Sequence, residues 1–130
     1  MAREQTLSQK LKGMPIAVDV AVIRCEGEMG EFELAHVGEE LFRLVNKGRR
    51  RVVLDLSGVD HVDYRGVKPL ATRAKALRSG GGDIKLCGLS PYLAAIFRAA
   101  GVEEDFSMYA TAEEAQASFA AQPAFAVVRH

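Results

Sequence analysis

A chain of 130 residues, 48% apolar and 26% charged, with 17 cations against 17 anions, is long enough for one domain and has no net charge to favour nucleic acid or an anionic membrane. It should bury roughly two-thirds of its unfolded surface, so neither disulfides nor a structural metal are needed to hold it together. The opening residues, MAREQTLSQK, lack the apolar core of a secretory signal, and no apolar run reaches the ~18 residues of a membrane span, so a cytoplasmic location is expected.

Residues 16–25, IAVDVAVIRC, are rich in Val and Ile and predict a strand, with a hairpin to the preceding segment as an option. Glu26, Gly27 and Gly30 break that pattern. From Glu33 to Asn46 the spacing changes: Leu34, Val37, Leu41, Leu44 and Val45 recur three and four apart, one face of a helix. Lys47 and Gly48 suit its C-terminal end. Residues 51–56, RVVLDL, read as a central strand covered on both faces. Val67, Leu70, Ala71, Ala74 and Leu77 mark a second helix, which stops at Ser79 and the glycines at 80–82. Residues 83–88, DIKLCG, predict the next strand. Ser90 and Pro91 open a third helix as N-cap and first position, and Gly101 closes it. Residues 105–109, DFSMY, suit a short edge strand. Thr111 and Glu114 form a capping box for a last helix to about Phe119. Alternating strands and helices of these lengths imply crossover units: an α/β fold with a mixed, mostly parallel sheet of four to five strands and about four helices. One domain is expected over 1–130, its core over about 16–119, with 1–14 and 122–130 as terminal extensions. Cys25 and Cys87 sit inside strand-like runs and read as buried thiols of a reducing compartment.

Function in such sheets concentrates beyond the carboxyl ends of strands. The segment leaving the central strand, VDHVDYRGVKPL at 59–70, has an odd composition for a helix start: Tyr64, Arg65 and Lys68 where acidic residues are usual. If Gly66 is the N-cap, Pro69 falls at the third helical position, where its missing N–H does no harm; if the helix starts earlier, Pro69 removes a real hydrogen bond. The first arrangement predicts a helix proper from Val67 with Arg65 just before it. Arg65 is then either tolerated on the surface, offset by Asp63 two residues away, or in contact with a carboxylate or anion that its planar fork suits. Tyr64 beside it has hot-spot composition, and equally suits a half-buried strand end. Asp63 suits a loop-shaping acceptor of backbone N–H groups.

Other constellations carry less. His61 and Asp63 resemble a base with its orienting partner, but no nucleophile motif accompanies them and no third residue completes a metal set, so neither an enzyme, a metal site nor a cofactor is expected. Lys47 and Arg49–Arg51 read as a solvated turn, and the glycines at 80–82 as a turn with no phosphate-loop signature. Ser90 and Thr111 are caps, and Ser57 is not assigned as a phosphosite.

Several weak motifs in the right order resemble the STAS domain of bacterial anti-sigma-factor antagonists: VVLDLSGV at 52–59, Asp63 and Gly66 around the loop, the glycines at 80–82, LSPYLAAIFRAAGVEEDF at 89–106 and ATAEEAQASF at 110–119. The resemblance implies a regulatory protein-interaction module whose partner is a histidine-kinase-like anti-sigma factor or another regulator of such a pathway, with no nucleic acid and no membrane span. In the family's switching members the loop reads Asp-Ser-Ser-Gly, and the kinase phosphorylates the second Ser. Here the loop reads Asp-Tyr-Arg-Gly. Asp63 and Gly66 match, Tyr64 and Arg65 do not, and position 65 has no hydroxyl, so the usual phosphorylation switch is expected to be absent. The implied partner surface is His61, Asp63, Tyr64, Arg65, Gly66 and Lys68. A scaffold subunit in a larger assembly, with homo-oligomers possible, and a domain that binds a small anion or lipid remain as alternatives.

Overall fold

The computed structural model describes residues 20–120. Four strands, β1 (Val20–Met29), β2 (Arg51–Val62), β3 (Asp83–Cys87) and β4 (Ser107–Tyr109), form one sheet in the order β1-β2-β3-β4, and every pairing is parallel. Four helices follow them: α1 (Glu31–Asn46), α2 (Tyr64–Ser79), α3 (Pro91–Ala99) and α4 (Ala112–Ala120). A 3-10 turn at Glu103–Asp105 precedes β4. The expected α/β class and the alternation hold. The start of the first predicted strand, the optional hairpin before it, and both terminal extensions fall outside the described residues.

Alternation along the strands splits the core in two. Ala21, Ile23, Val52, Leu54, Leu56, Ile84 and Leu86 face α1, α2 and α3, where Leu34, Leu41, Val67, Leu70, Leu93 and Phe97 meet them. Val20, Val22, Val53 and Cys87 face the opposite way, under Ala112, Ala115 and Phe119 of α4. Both cysteines are free and buried, and burial pushes the Cys25 thiol up to about 11 and Cys87 to about 12.

Three boundaries differ from expectation. β1 does not stop at Cys25; it runs to Met29 through register shifts at Arg24/Glu26 and Gly27/Glu28, with Gly27 at φ +77°. Bulges let a strand continue past residues that look like breakers. β2 likewise runs past Leu56 to Val62, its Gly58, Val59, His61 and Val62 paired with the extended β1. α2 begins at Tyr64, three residues before the expected Val67, with Asp63 and not Gly66 as its N-cap. Pro69 is therefore inside the helix, and the carbonyl of Arg65 loses the amide donor it would otherwise receive.

Among the described residues the strand order has no reversal, and the segment that leaves the carboxyl end of β2 runs straight into α2.

Candidate functional site

The end of β2 is tied to β1 when the Asp63 N–H donates to the Met29 carbonyl at 2.9 Å. Asp63 then caps α2: its Oδ1 accepts the Arg65 backbone N–H at 2.8 Å. The Arg65 guanidinium folds back onto the same carboxylate, Nε to Oδ1 at 3.2 Å and Nη2 to Oδ2 at 2.9 Å. The pair is a two-pronged clamp over the first turn, with the Arg65 side chain still 72% exposed. The side-chain bond from Arg65 first, then its backbone N–H, holds the Asp63 carboxyl down at about 2, against an ordinary 3.8. Of the sequence readings of Arg65, the offset by Asp63 is the one this geometry displays.

Tyr64 is the first residue of α2 and is 53% exposed, and Lys68 is exposed one turn on. Gly66 is buried. A Cβ there would lie 2.6 Å from Leu34 Cδ1 and 3.1 Å from Leu34 Cβ, so this glycine lets α2 approach α1 and supports the surface from below. His61 is exposed on β2, and its Nδ1 lies 2.6 Å from the Tyr92 hydroxyl, with the rings stacked at 5.7 Å and 30°. The bond ties the end of β2 to the first turn of α3. Among the described residues no group of three His, Cys, Asp or Glu is placed to hold a metal ion.

Sequence reasoning did not single out Tyr92. It is 54% exposed, and with Ala95, Ile96 and Ala99 it forms one wall of a groove of about 410 Å³ whose other wall is His61, Val62, Asp63 and Tyr64. The signal was present in PYLAAIFRA: burial of Leu93, Phe97 and Ala100 on one face sends Tyr92, Ala95 and Ala99 to the other. Ser57 is exposed on β2, its N–H donating to Asp55 Oδ1 at 3.0 Å.

No helix among the described residues is long and apolar enough to cross a membrane. The chain is 33% identical over 103 residues to BtrV of Bordetella bronchiseptica, a protein named as a candidate anti-sigma factor antagonist; the match covers 78% of this chain and 89% of that one. Its fold is similar to that of TM1081 of Thermotoga maritima, described in the same terms, with a TM-score of 0.66 at 21% identity over 88% of this chain and 92% of that one. It is similar also to unphosphorylated SpoIIAA of Bacillus, an anti-sigma factor antagonist, with a TM-score of 0.62 at 23% identity over 74% and 84%. The STAS domain model matches residues 13–115, most of the chain, and with four parallel strands, their crossover helices and the loop at the end of β2 in place, this protein belongs to the STAS domain family.

Proposed function

We propose that this STAS domain is a regulatory interaction module of the anti-sigma-factor-antagonist type, which docks a histidine-kinase-like anti-sigma factor or a related regulator through His61, Asp63, Tyr64, Arg65 and Lys68, with Tyr92 beside them. The observation that carries the reading is the Arg65–Asp63 clamp at the N-terminus of α2. In the family's switching members this position carries the phosphoacceptor Ser, and phosphorylation places about −1.5 to −2 charge there. Here a fixed cation stands in its place, already neutralised by its neighbour. The contact is then insensitive to a Ser kinase. Two half-exposed tyrosines beside a guanidinium supply the aromatic and Arg anchors typical of a protein hot spot.

A small anion fits this terminus less well, because the Asp63 carboxylate already fills the place an anion would take. Binding tests the reading directly. The tagged chain should capture a histidine-kinase-like ATPase from extracts of its own cells, with no phosphate near residues 57–66. Arg65→Ala should weaken that complex by about tenfold or more. The double change Tyr64→Ser and Arg65→Ser should create a site that the captured kinase phosphorylates. Intact binding without phosphate on the double variant would remove the proposed relation to the family's switch. Recovery of other STAS proteins or large assemblies in place of a kinase would favour a scaffold subunit.

A further inference from the structure

Two phenylalanines of α1 stand in water. Phe32 is 89% exposed and Phe42 63%. With Ala35 and Glu39 between them at steps of three and four, they lie on one face of the helix. The regulator surface at the end of β2 does not use them.

Charge in the same layer is sorted by helix. α1 has Glu31, Glu33, Glu39 and Glu40 against Arg43 alone; Glu33 and Glu40 lie on the side toward β1, with Arg43 on Glu40, while Glu31 and Glu39 lie toward α2 and solvent. α2 has Arg65, Lys68, Arg73, Lys75 and Arg78 and no acid. Lys75 and Arg78 turn toward Asp105 and Asp83, away from α1, and Arg65 is held by Asp63, which leaves Arg73, packed beside Gly38, on the face shared by the two helices. The helices run side by side and parallel: Gly66 lies against Glu31 and Leu34, Gly38 against Arg73, and Phe42 and Val45 share a shallow groove of about 240 Å³ with Ala76 and Gly80.

We propose that this face docks a second copy of the chain, about a two-fold axis parallel to the helices. That axis lays the acidic α1 of one copy over the basic α2 of the other, twice. A two-fold across the helices would set like charge on like. A surface with opposite charge on its two halves is self-complementary, as an isologous interface requires. Phe42 stands level with Ala76 and Gly80, so each copy's ring enters the other's groove, where small residues leave room. Glu39 comes level with Arg73 of the other copy, as its neighbour Gly38 does within one chain. Two 16-residue helices about 10 Å apart and about 24 Å long give a footprint of roughly 500 Å² per copy, below the ~800 Å² per partner of stable complexes. The dimer is therefore weak and reversible, with a dissociation constant of roughly 10 µM to 1 mM. None of this depends on the regulator reading above.

Sedimentation velocity of the full chain up to about 1 mM should show mass rising from monomer to dimer, less so at high salt, and Phe42→Ser should weaken the association at least about tenfold. Glu39→Arg and Arg73→Glu, each alone, put two like-charged pairs in the homodimer and should sediment as monomers. Mixed in equal amounts they restore both opposite pairs and should dimerise. Thermal melts establish that each variant is folded; should Arg73→Glu fail to fold, Arg73→Ala combined with Thr72→Glu, which moves the acid to the adjacent exposed position and removes the cation, replaces it. A wild-type chain that stays monomeric, a dimer indifferent to Phe42→Ser, or a mixture no better associated than its components would each overturn the proposal.

Discussion

A guanidinium at the start of α2 meets the positive end of the helix macrodipole, and by itself would oppose it. Asp63 reverses the sign of the problem. One carboxylate caps the Arg65 N–H and binds the Arg65 side chain, so the first turn sees a neutralised pair. The pairing was within reach of the sequence, because it spans only two residues. The bond between His61 and Tyr92 was not, because it joins residues 31 apart through the packing of α3 beside β2. The clamp makes a pH prediction. The folded-state pKa of Asp63 is depressed from 3.8 to about 2, so its stabilisation is fully present above the unfolded value and is lost as pH falls through the folded one. Asp63→Asn keeps an acceptor for the cap and removes the charge. Its melting temperature should lie below that of the wild type at pH 7, and the gap should close between about pH 4 and pH 2. A gap that stayed constant across that range would mean that the carboxylate's charge contributes nothing to the fold.

At the scale of elements, the helices were the legible part. Leu34, Val37, Leu41 and Leu44 are buried where the periodicity of α1 put them, and Ser90 and Thr111 cap α3 and α4 with bonds to Leu93 and Glu114. The ends of β1 and β2 were illegible for a physical reason: SGVDHV looks like a turn in isolation and becomes strand because the bulged tail of β1 pairs with it. The start of α2 is earlier than the sequence suggests, because placing Pro69 at the third helical position, where its missing N–H costs nothing, predicts Gly66 as N-cap and Val67 as the first helical residue. The structure keeps the proline and forgoes one helix bond at Arg65. Pro69→Ala should therefore stabilise the protein by about 1–2 kcal/mol, the regained bond and relieved clash less the entropy that proline removes from the unfolded chain. Denaturant melts measure it directly; a destabilised Pro69→Ala would show that the proline ring makes packing contacts worth more than the lost helix bond. Gly66→Ala has the opposite sign. The new methyl meets Leu34 in a filled layer, and the cost should be about 1–3 kcal/mol, with α2 pushed off α1.

For the whole molecule, the sheet keeps two cores that are unequal in depth. Three helices seal one face, while among the described residues the other is closed by α4, nine residues whose buried contacts are Ala112, Ala115, Gln116 and Phe119. Lys85 lies on that thinner side, its ammonium 2.7 Å from the Ser118 hydroxyl and 4.2 Å from the Phe119 ring centre. A short helix held by so few groups should open before the sheet does. The cysteines report which side opens, since Cys25 belongs to the three-helix core and Cys87 lies under α4. In the native protein both thiols should react slowly with a disulfide reagent at pH 8, because each is buried and its pKa is raised well above that pH. Phe119→Ala and Phe97→Ala each remove a fully buried ring and should each cost about 3–5 kcal/mol. Their effects on the thiols should differ. Phe119→Ala loosens α4 and should speed labelling of Cys87 under native conditions, leaving Cys25 slow. Phe97→Ala weakens the three-helix core, so at equal loss of stability it should not favour Cys87 over Cys25. Peptide mapping of the labelled chains separates the two, and equal acceleration of both cysteines in Phe119→Ala would mean that the two faces open as one unit.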